Sequence, residues 1–481
     1  MMSHGKFLGS LLLAGASAGL ASTSAFAAGP LVQVSGPSPF APGCNGTPQS
    51  GTVYRHSEVE PWLAVNPANG QHLIGAWQQD RWSSGGSNSI VTGVSTDGGA
   101  SWRQVVVPRI TRCAGASDYE RASDPWVSFS PNGHVYVQSL AFNDSNTTNA
   151  LLVNKSVDGG QTWGEPITLI HDTTPTLFND KNSITTDPLD SNYVYAVWDR
   201  LVTASPKASA TAALHAQGYR GPTLFTRSTD GGASWEAART IYDPGEVNQT
   251  IGNQIVVRPQ GDLINVMNVI YNHKNAKGVR GYNVAVLRST DHGATWSKPI
   301  FIDKIVALDV IEPTSAALVR TGDIIPEIAV GPQGQLAVVW QDARFNGVPQ
   351  IAFSTSFDGG LTWSSPVRIS QSPAGVHAFN PSVRVRADGT LGVSYYDFRN
   401  NSAQGGTDHF LLTCSSQCTT PANWFESRIT PASFDLRLAP VARGFFLGDY
   451  EGLDTWGGDF LSFFSQTHPG DAASVFFRRM P

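Results

Sequence analysis

The sequence of 481 residues has little charge, little cysteine and little methionine. Charged residues make up 15% of it, and 32 Lys and Arg stand against 38 Asp and Glu. The resulting net charge of -6 provides no basic surface, so nucleic-acid binding is not expected. After the N-terminus no apolar run approaches the roughly 20 residues of a membrane-spanning helix, so no membrane span is expected. The 48 glycines and 30 prolines, by contrast, indicate many short strands and tight turns.

The N-terminus has the features of a secretory signal. Lys6 supplies a basic start, residues 8–20 form an apolar core, and Ala25-Phe26-Ala27 fits a cleavage site. A membrane anchor is the alternative, which the shortness of the apolar run disfavours. The sequence therefore predicts a signal peptide over 1–27 and a mature domain over 28–481, secreted or periplasmic.

The four cysteines fit export, because disulfides form in oxidising compartments. Cys414 and Cys418 lie close enough to close a small loop, and Cys44 would then pair with Cys113. Four cysteines allow three pairings, so this connectivity is a prediction. No histidine cluster accompanies them, and neither a metal nor another cofactor is expected.

One octapeptide organises the chain. It begins at Ser95 as STDGGASW and returns as SVDGGQTW, STDGGASW, STDHGATW and SFDGGLTW, starting at Ser156, Ser228, Ser289 and Ser356. Its Asp can accept hydrogen bonds from the following backbone, its Gly can supply a positive φ, and its Trp can pack between sheets. The octapeptides are therefore predicted to be structural turns, with Asp97, Asp158, Asp230, Asp291 and Asp358 at their centres.

The pattern S-x-D-x-G-x-T-W resembles the Asp-box, or bacterial neuraminidase repeat, of the sialidase-like β-propellers. The resemblance covers nearly all of residues 28–481 and implies an all-β fold, a single β-propeller in one domain. It also implies that each box turn joins the third and fourth strands of a blade.

A four-strand pattern recurs around the octapeptides, with first strands near Glu60, Asp124, Asp180, Gly252, Pro326, Asn380 and Gly448. In the sixth copy the segment from Cys414 to Trp424 stands where the octapeptide is expected. The last copy has three strands, and residues 31–35 can supply its fourth and close the ring. Seven blades are predicted, with six, the usual number in sialidases, as the alternative.

With the box turns on one face, the loops after the second strands and the entries to the first strands share the opposite face. The candidates for substrate contacts there are Arg81, Arg200, Arg344, Arg399, Asp342 and Asp397, because guanidinium groups suit carboxylate recognition. The candidates for catalysis are Glu60, Asp124, Asp449, Tyr450 and Glu451. The same face is predicted to carry Asp80, Asp180, Lys181, Asp199, Asn253, Asn272, His273, Lys274 and Glu327. The alternative for each Asp–Arg pair is an ion pair between neighbouring blades.

Sialidases bind the carboxylate of their substrate with three arginines and use a Tyr nucleophile, a Glu and an Asp. Their F/Y-R-I-P motif is not present, and only Ile325-Pro326 matches its end, so no arginine triad is transferred. The resemblance implies a monomeric glycan-active protein, a glycoside hydrolase of the exo-α-sialidase type with a carbohydrate or glycoconjugate partner. The alternatives are a non-catalytic propeller that binds glycan or protein at the cell surface, and a polysaccharide lyase. If the rim is the site, Arg399→Ala should abolish ligand binding without unfolding the protein.

Overall fold

The computed structural model describes residues 1–2, 28–203, 220–272, 280–403 and 405–481. The predicted signal peptide, apart from its first two residues, and the rim residues His273 and Lys274 lie outside these ranges. The described residues are all-β, with 31 strands and the short 3-10 helices Arg112–Ala114, Pro421–Asn423 and Leu436–Leu438. Within these ranges, no helix is long and apolar enough to cross a membrane.

Most strands form four-stranded antiparallel units that follow one another along the chain. Strand β1 (Val32–Gln33) comes first. Unit 1 consists of β2 (Val53–Val65), β3 (Leu73–Trp82), β4 (Ser87–Ser95) and β5 (Arg103–Val106). Unit 2 consists of β6 (Arg121–Phe129), β7 (Val135–Phe142), β8 (Asn149–Ser156) and β9 (Ile167–Asp172). Unit 3 consists of β10 (Leu177–Thr186), β11 (Val194–Val202), β12 (Thr223–Ser228) and β13 (Arg239–Tyr242). Unit 4 consists of β14 (Asn248–Val257), β15 (Leu263–Tyr271), β16 (Gly281–Ser289) and β17 (Ile300–Lys304).

The second half of the chain adds a small sheet to this pattern. The strands β18 (Val310–Ile311) and β19 (Leu318–Arg320) precede unit 5. Unit 5 consists of β20 (Glu327–Val330), β21 (Leu336–Asp342), β22 (Gln350–Ser356) and β23 (Val367–Arg368). Unit 6 consists of β24 (Ala378–Val385), β25 (Leu391–Asp397), β26 (Asp408–Cys414) and β27 (Phe425–Arg428). After β28 (Phe445–Phe446), unit 7 contributes β29 (Gly452–Trp456), β30 (Asp459–His468) and β31 (Asp471–Met480).

Unit 7 takes its fourth strand from the start of the chain. Strand β1 pairs antiparallel with β31, with Val32 opposite Phe477, which is the pairing that the sequence predicts for residues 31–35. The first strands of successive units lie against each other in the order β2, β6, β10, β14, β20, β24 and β29, and β29 also contacts β2. The first strands therefore surround a common axis.

The small sheet joins two excursions that leave the units. Strand β19 pairs antiparallel with β18 and parallel with β28, so that Val319 lies opposite Phe445. One excursion precedes the first strand of unit 5, and the other precedes the first strand of unit 7. Both therefore lie at the entries to first strands, the face that the sequence assigns to function.

The core lies between facing sheets, so most strands are buried on both sides. Every residue of β21, for example, is buried in the structure. The reason is that neighbouring units cover both of its faces. Trp77, Trp198 and Trp340 sit in the second strands of units 1, 3 and 5 and are fully buried. Each indole N–H donates to a side chain of its own unit, 2.8–3.0 Å away: Gln79, Asn179 and Asp342.

The five octapeptides form turns between the third and fourth strands of units 1 to 5, as predicted. In the first turn the Ser95 hydroxyl donates to Asp97 at 2.8 Å, and the Ser101 backbone N–H donates to Asp97 at 2.9 Å. Equivalent bonds recur in the other four turns. Bonds from the Ser101 hydroxyl and N–H lower the pKa of Asp97 to about 2. The Asp side chains thus hold their own turns.

Unit 6 uses a disulfide at the corresponding place. Cys414 ends β26 and is bonded to Cys418, and Trp424 then donates its indole N–H to the Cys418 carbonyl at 2.8 Å. Trp102 donates to the Gly99 carbonyl of the first octapeptide in the same way. The second disulfide joins Cys44 to Cys113, so both predicted pairings are confirmed.

Candidate functional site

The axis is lined by bulges that recur in the first strands. The pairing of the first and second strands skips residues in units 1, 2, 3, 4 and 6. At each bulge one residue has a positive φ of 47–72°, namely Glu60, Asp124, Lys181, Gly252 and Asn380. Only the glycine adopts this region without strain, and backbone strain of this kind is concentrated at functional sites. The bulges therefore turn side chains of the first strands toward the axis.

Three bulge residues and one residue of unit 7 meet as a buried charge group, which we call the axial cluster: Glu60, Asp124, Lys181 and Asp449. The Lys181 ammonium lies 2.6 Å from Asp449 Oδ2, 3.5 Å from Asp124 Oδ1 and 3.6 Å from Glu60 Oε1. All four residues are buried. The structure thus brings together three of the five residues that the sequence proposes for catalysis, around a lysine.

Burial and mutual repulsion alter the charges of the axial cluster. Burial raises the pKa of Glu60 to about 8, even though Lys181 opposes the shift. Burial also raises the pKa of Asp124 and of the neighbouring Asp180. For Lys181 burial acts in the lowering direction, but the surrounding carboxylates raise its pKa well above the ordinary value. Lys181 is therefore a fixed cation that is not available as a nucleophile.

A cavity of about 310 Å³, which we call the rim cavity, lies beside the axial cluster at the small sheet. Its polar lining residues are Tyr282, Asp309, Arg320, Thr321, Asp323 and Arg443. Arg320 connects the two features, because it lines the cavity and donates to Asp449 Oδ2 at 2.7 Å. Arg443, which also lines the cavity, is exposed, has φ 67° and forms no ion pair among the described residues. The lining comes from the start of β16, from β18 and β19 of the small sheet, and from the segments next to them.

Asp323 is the acid of the rim cavity. Burial, with the added repulsion of Asp449 and Asp309, raises its pKa to about 7. Near neutral pH an appreciable fraction of Asp323 is protonated and can donate a proton. Tyr282, partly exposed, also has a raised pKa because of burial and the charge of Asp323. The cavity thus combines two guanidinium groups, a proton donor and a phenol.

The remaining two proposed catalytic residues lie away from the rim cavity. Tyr450 is packed against Trp62 and Trp126, and its hydroxyl donates to the Pro125 carbonyl at 3.2 Å. Glu451 is fully buried and accepts from the Ser465 backbone N–H at 3.0 Å. Neither side chain lines the rim cavity, and Tyr450 instead lies beside Lys181 in a small separate cavity.

The four arginines proposed for substrate contacts are all engaged within the protein. Arg200 of unit 3 pairs with Asp172 of unit 2, and Arg344 of unit 5 pairs with Asp303 of unit 4 as well as with Asp342 of its own unit. Arg399 pairs with Asp397 and Glu426 inside unit 6. Arg81 is buried and donates to Gln78 Oε1 at 2.6 Å. Arg200 and Arg344 thus join neighbouring units, as the alternative drawn from the sequence predicts, whereas Arg399 fastens strands of a single unit.

No family model matches the sequence, and no curated protein matches it. Several solved structures share part of its shape. A protein of unknown function from Dyadobacter fermentans has a TM-score of 0.49 at 16% identity, over 78% of this chain and 96% of its own. A Hadza microbial sialidase has a TM-score of 0.44 at 18% identity, over 72% of this chain and 63% of its own. An α-L-arabinofuranosidase from Fusarium graminearum has a TM-score of 0.46 at 12% identity, over 94% of this chain and 97% of its own. Function is therefore inferred from the residues of the site.

The residues that line the rim cavity were not predicted from the sequence. Asp309, Arg320, Asp323 and Arg443 belong to the two excursions, where the strand and octapeptide patterns are interrupted. The interruption of the repeat is the feature of the sequence that could have pointed to these residues, because long segments between repeats of a solenoid or propeller commonly carry function. Nothing in the local sequence indicates that residues near 320 and 445 pair with each other.

Glu327 provides a test of how burial sets the pH dependence of stability. It is buried at the start of β20, where the Ser382 hydroxyl donates to it at 2.8 Å, and burial raises its pKa to about 7. The folded state therefore binds more protons than the unfolded state between about pH 4.5 and pH 7, and unfolding free energy falls as pH rises through this window. We expect Glu327→Gln to remove this slope, worth up to about 3 kcal/mol. Urea unfolding at pH 5 and pH 8 measures it. An unchanged difference between the two pH values would contradict the assignment.

Proposed function

We propose that the rim cavity binds and hydrolyses an acidic glycan. The observation that carries this proposal is the presence in one cavity of Arg320, Arg443 and an aspartic acid, Asp323, whose pKa is about 7. Arginine guanidinium groups suit a sugar carboxylate, and a protonated carboxyl group suits the oxygen of a glycosidic leaving group.

The proposed roles follow from position. Arg320 is held by Asp449 and would bind the acidic group together with Arg443, which lines the same cavity. Asp323 would donate a proton to the leaving oxygen, and Asp309, which also lines the cavity, would act as base or nucleophile. Tyr282 provides an aromatic surface for a sugar ring. The buried Asp449, Glu60 and Asp124 support these residues.

The resemblance to Asp-box proteins extends the proposal to the whole chain. We propose a seven-bladed propeller whose last blade is closed by β1, supported by the ring order of the first strands and the β1–β31 pairing. The octapeptide turns would be Asp-boxes, supported by their shared hydrogen bonds. The mature protein over 28–481 would be a secreted or periplasmic monomer of the exo-α-sialidase type.

A glycan-binding protein without turnover is the second candidate. The observation that favours it is that Arg81, Arg200, Arg344 and Arg399 are all engaged within the protein, which leaves the rim cavity with two arginines. Such a protein would bind the same acidic sugars at the same cavity.

The test is turnover on α-sialosides, uronic-acid polymers and neutral polysaccharides, read by mass spectrometry. We expect a hydrolysed product from an acidic substrate, and an approximately hundredfold lower kcat/KM for Arg443→Ala because a charged hydrogen bond to the substrate is lost. Arg437→Ala, on a half-buried arginine that is paired with Asp435 and does not line the cavity, serves as the matched control. Binding without product would favour the second candidate, and an unsaturated product would indicate a lyase. No binding by the folded protein would contradict the proposal.

A further inference from the structure

Lys181 occupies a position that a lysine rarely occupies. It is buried at 7% exposure, its φ is 47°, and it sits in the bulge of β10 between Asp180 and Ser183. A lysine in such a place is desolvated and strained, and both costs require compensation. The structure shows that compensation in the three carboxylates of the axial cluster.

The ammonium of Lys181 and the guanidinium of Arg320 meet on one carboxylate. Lys181 Nζ lies 2.6 Å from Asp449 Oδ2, and Arg320 Nη2 donates to the same oxygen at 2.7 Å. Arg320 Nε also approaches Asp449 Oδ1, at 3.3 Å. The two cations therefore hold Asp449 from two sides, and Asp449 in turn fixes the plane of the Arg320 guanidinium.

A second contact limits Arg320 further. Its guanidinium lies over the Phe446 ring, 4.3 Å from the ring centre, and the Arg81 guanidinium lies 4.7 Å from the same centre. Arg320 thus has an aromatic surface and a carboxylate to orient it, while it also lines the rim cavity. Of these two contacts, only the one with Asp449 depends on Lys181.

We infer that Lys181 is a positioning residue for the rim cavity, acting through Asp449 to orient Arg320 toward an anionic ligand. The inference rests on the proposed function for the identity of that ligand, but the orientation of Arg320 can be measured without a ligand. Without the Lys181 charge, the negative charge of Asp449 and of its neighbours Glu60, Asp124 and Asp180 is less neutralised. Protonation or rotation of Asp449 would then release the Arg320 side chain.

The first measurement is the rate at which phenylglyoxal modifies Arg320, followed by peptide mass spectrometry on the folded protein. We expect Lys181→Met to raise this rate severalfold, because the guanidinium is freed from Asp449. Lys155→Met is the matched control, since Lys155 is a partly buried lysine that donates to the Gly231 carbonyl of an octapeptide turn. An Arg320 rate in Lys181→Met equal to that of the wild type would overturn the inference. If Lys181→Met does not fold, Lys181→Gln and the Arg320 Nε resonance in ¹⁵N NMR provide the same comparison.

The second measurement is the affinity for N-acetylneuraminate and for D-galacturonate by calorimetry. We expect Lys181→Met to weaken binding about tenfold, the equivalent of one weakened charge-assisted hydrogen bond. In the Asp449→Asn background the same substitution should add little, because a residue that acts through another shows non-additive effects. Full additivity of the two substitutions would contradict a role through Asp449.

The two measurements separate the two proposals. A wild-type protein that binds neither sugar, with an Arg320 modification rate that still responds to Lys181→Met, would contradict the proposed function and support the positioning role. Sugar binding that Lys181→Met leaves unchanged, with an unchanged modification rate, would contradict the positioning role alone.

Discussion

Asp323→Asn is expected to lower kcat for the acidic substrate by a factor of about 10² to 10⁴, the usual contribution of a general acid. The reason is that an amide has the shape of the carboxyl group but cannot give its proton to the leaving oxygen. Because burial and neighbouring carboxylates raise the pKa of Asp323 to about 7, the wild-type kcat/KM should fall as pH rises through that value. In Asp323→Asn, kcat/KM should no longer fall as pH rises through this value.

Asp454→Asn is the control for Asp323→Asn. Asp454 also has a pKa raised by burial, but it lies at the opposite end of the axis and holds the Val65 and Thr455 backbone N–H groups. Its substitution should leave the pH profile unchanged. A variant Asp323→Asn that keeps the wild-type limb near pH 7 would assign the proton donor to another residue.

Removal of residues 28–36 is expected to lower the unfolding free energy by about 5 kcal/mol. The segment contains Val34, which is buried, and Ser35, whose hydroxyl donates to the buried Glu58 at 2.7 Å. Burying one such apolar side chain stabilises by roughly 1.5–3 kcal/mol, and each hydrogen bond by about 1 kcal/mol. Val34 also donates to the Val475 carbonyl at 2.8 Å, so its loss leaves β31 as an open edge.

Guanidinium unfolding and size-exclusion chromatography measure this effect. The truncated protein should also self-associate, because an exposed sheet edge pairs with other chains. A chain that begins at Gly29 retains β1 and serves as the control. A loss of less than about 1 kcal/mol with a monomeric elution volume would show that β1 does not secure the last unit.

The repeated turns made the fold largely predictable from the sequence. Five octapeptides indicate where third strands end and fourth strands begin, and the structure places its strands accordingly. The pairing of β1 with β31 and both disulfides also followed from the pattern. Repeats make such inference possible because every unit must bury the same two faces against its neighbours.

The site was predictable only where it belongs to the repeat. Glu60 and Asp124 lie in bulges of first strands and Asp449 lies just before the first strand of unit 7, so the repeat brings them to the axis. The sequence could not place Arg320 and Asp323, because their positions depend on the parallel pairing of β19 with β28 across more than a hundred residues. Nor could it show that Arg399 is held by Asp397 and Glu426, since strand registry decides which side chains meet.

The bulges in the first strands also affect how this protein can change. Each bulge presents one residue to the axis without altering the hydrogen bonds on either side of it. Glutamate, aspartate, lysine, glycine and asparagine already occupy equivalent bulges in this one chain. A single substitution there exchanges the group offered to the interior while the fold stays the same. The axis can therefore acquire a different charge pattern, and a different ligand preference, through mutations at positions 60, 124, 181, 252 and 380, provided that 60, 124 and 181 change together, because their charges neutralise one another.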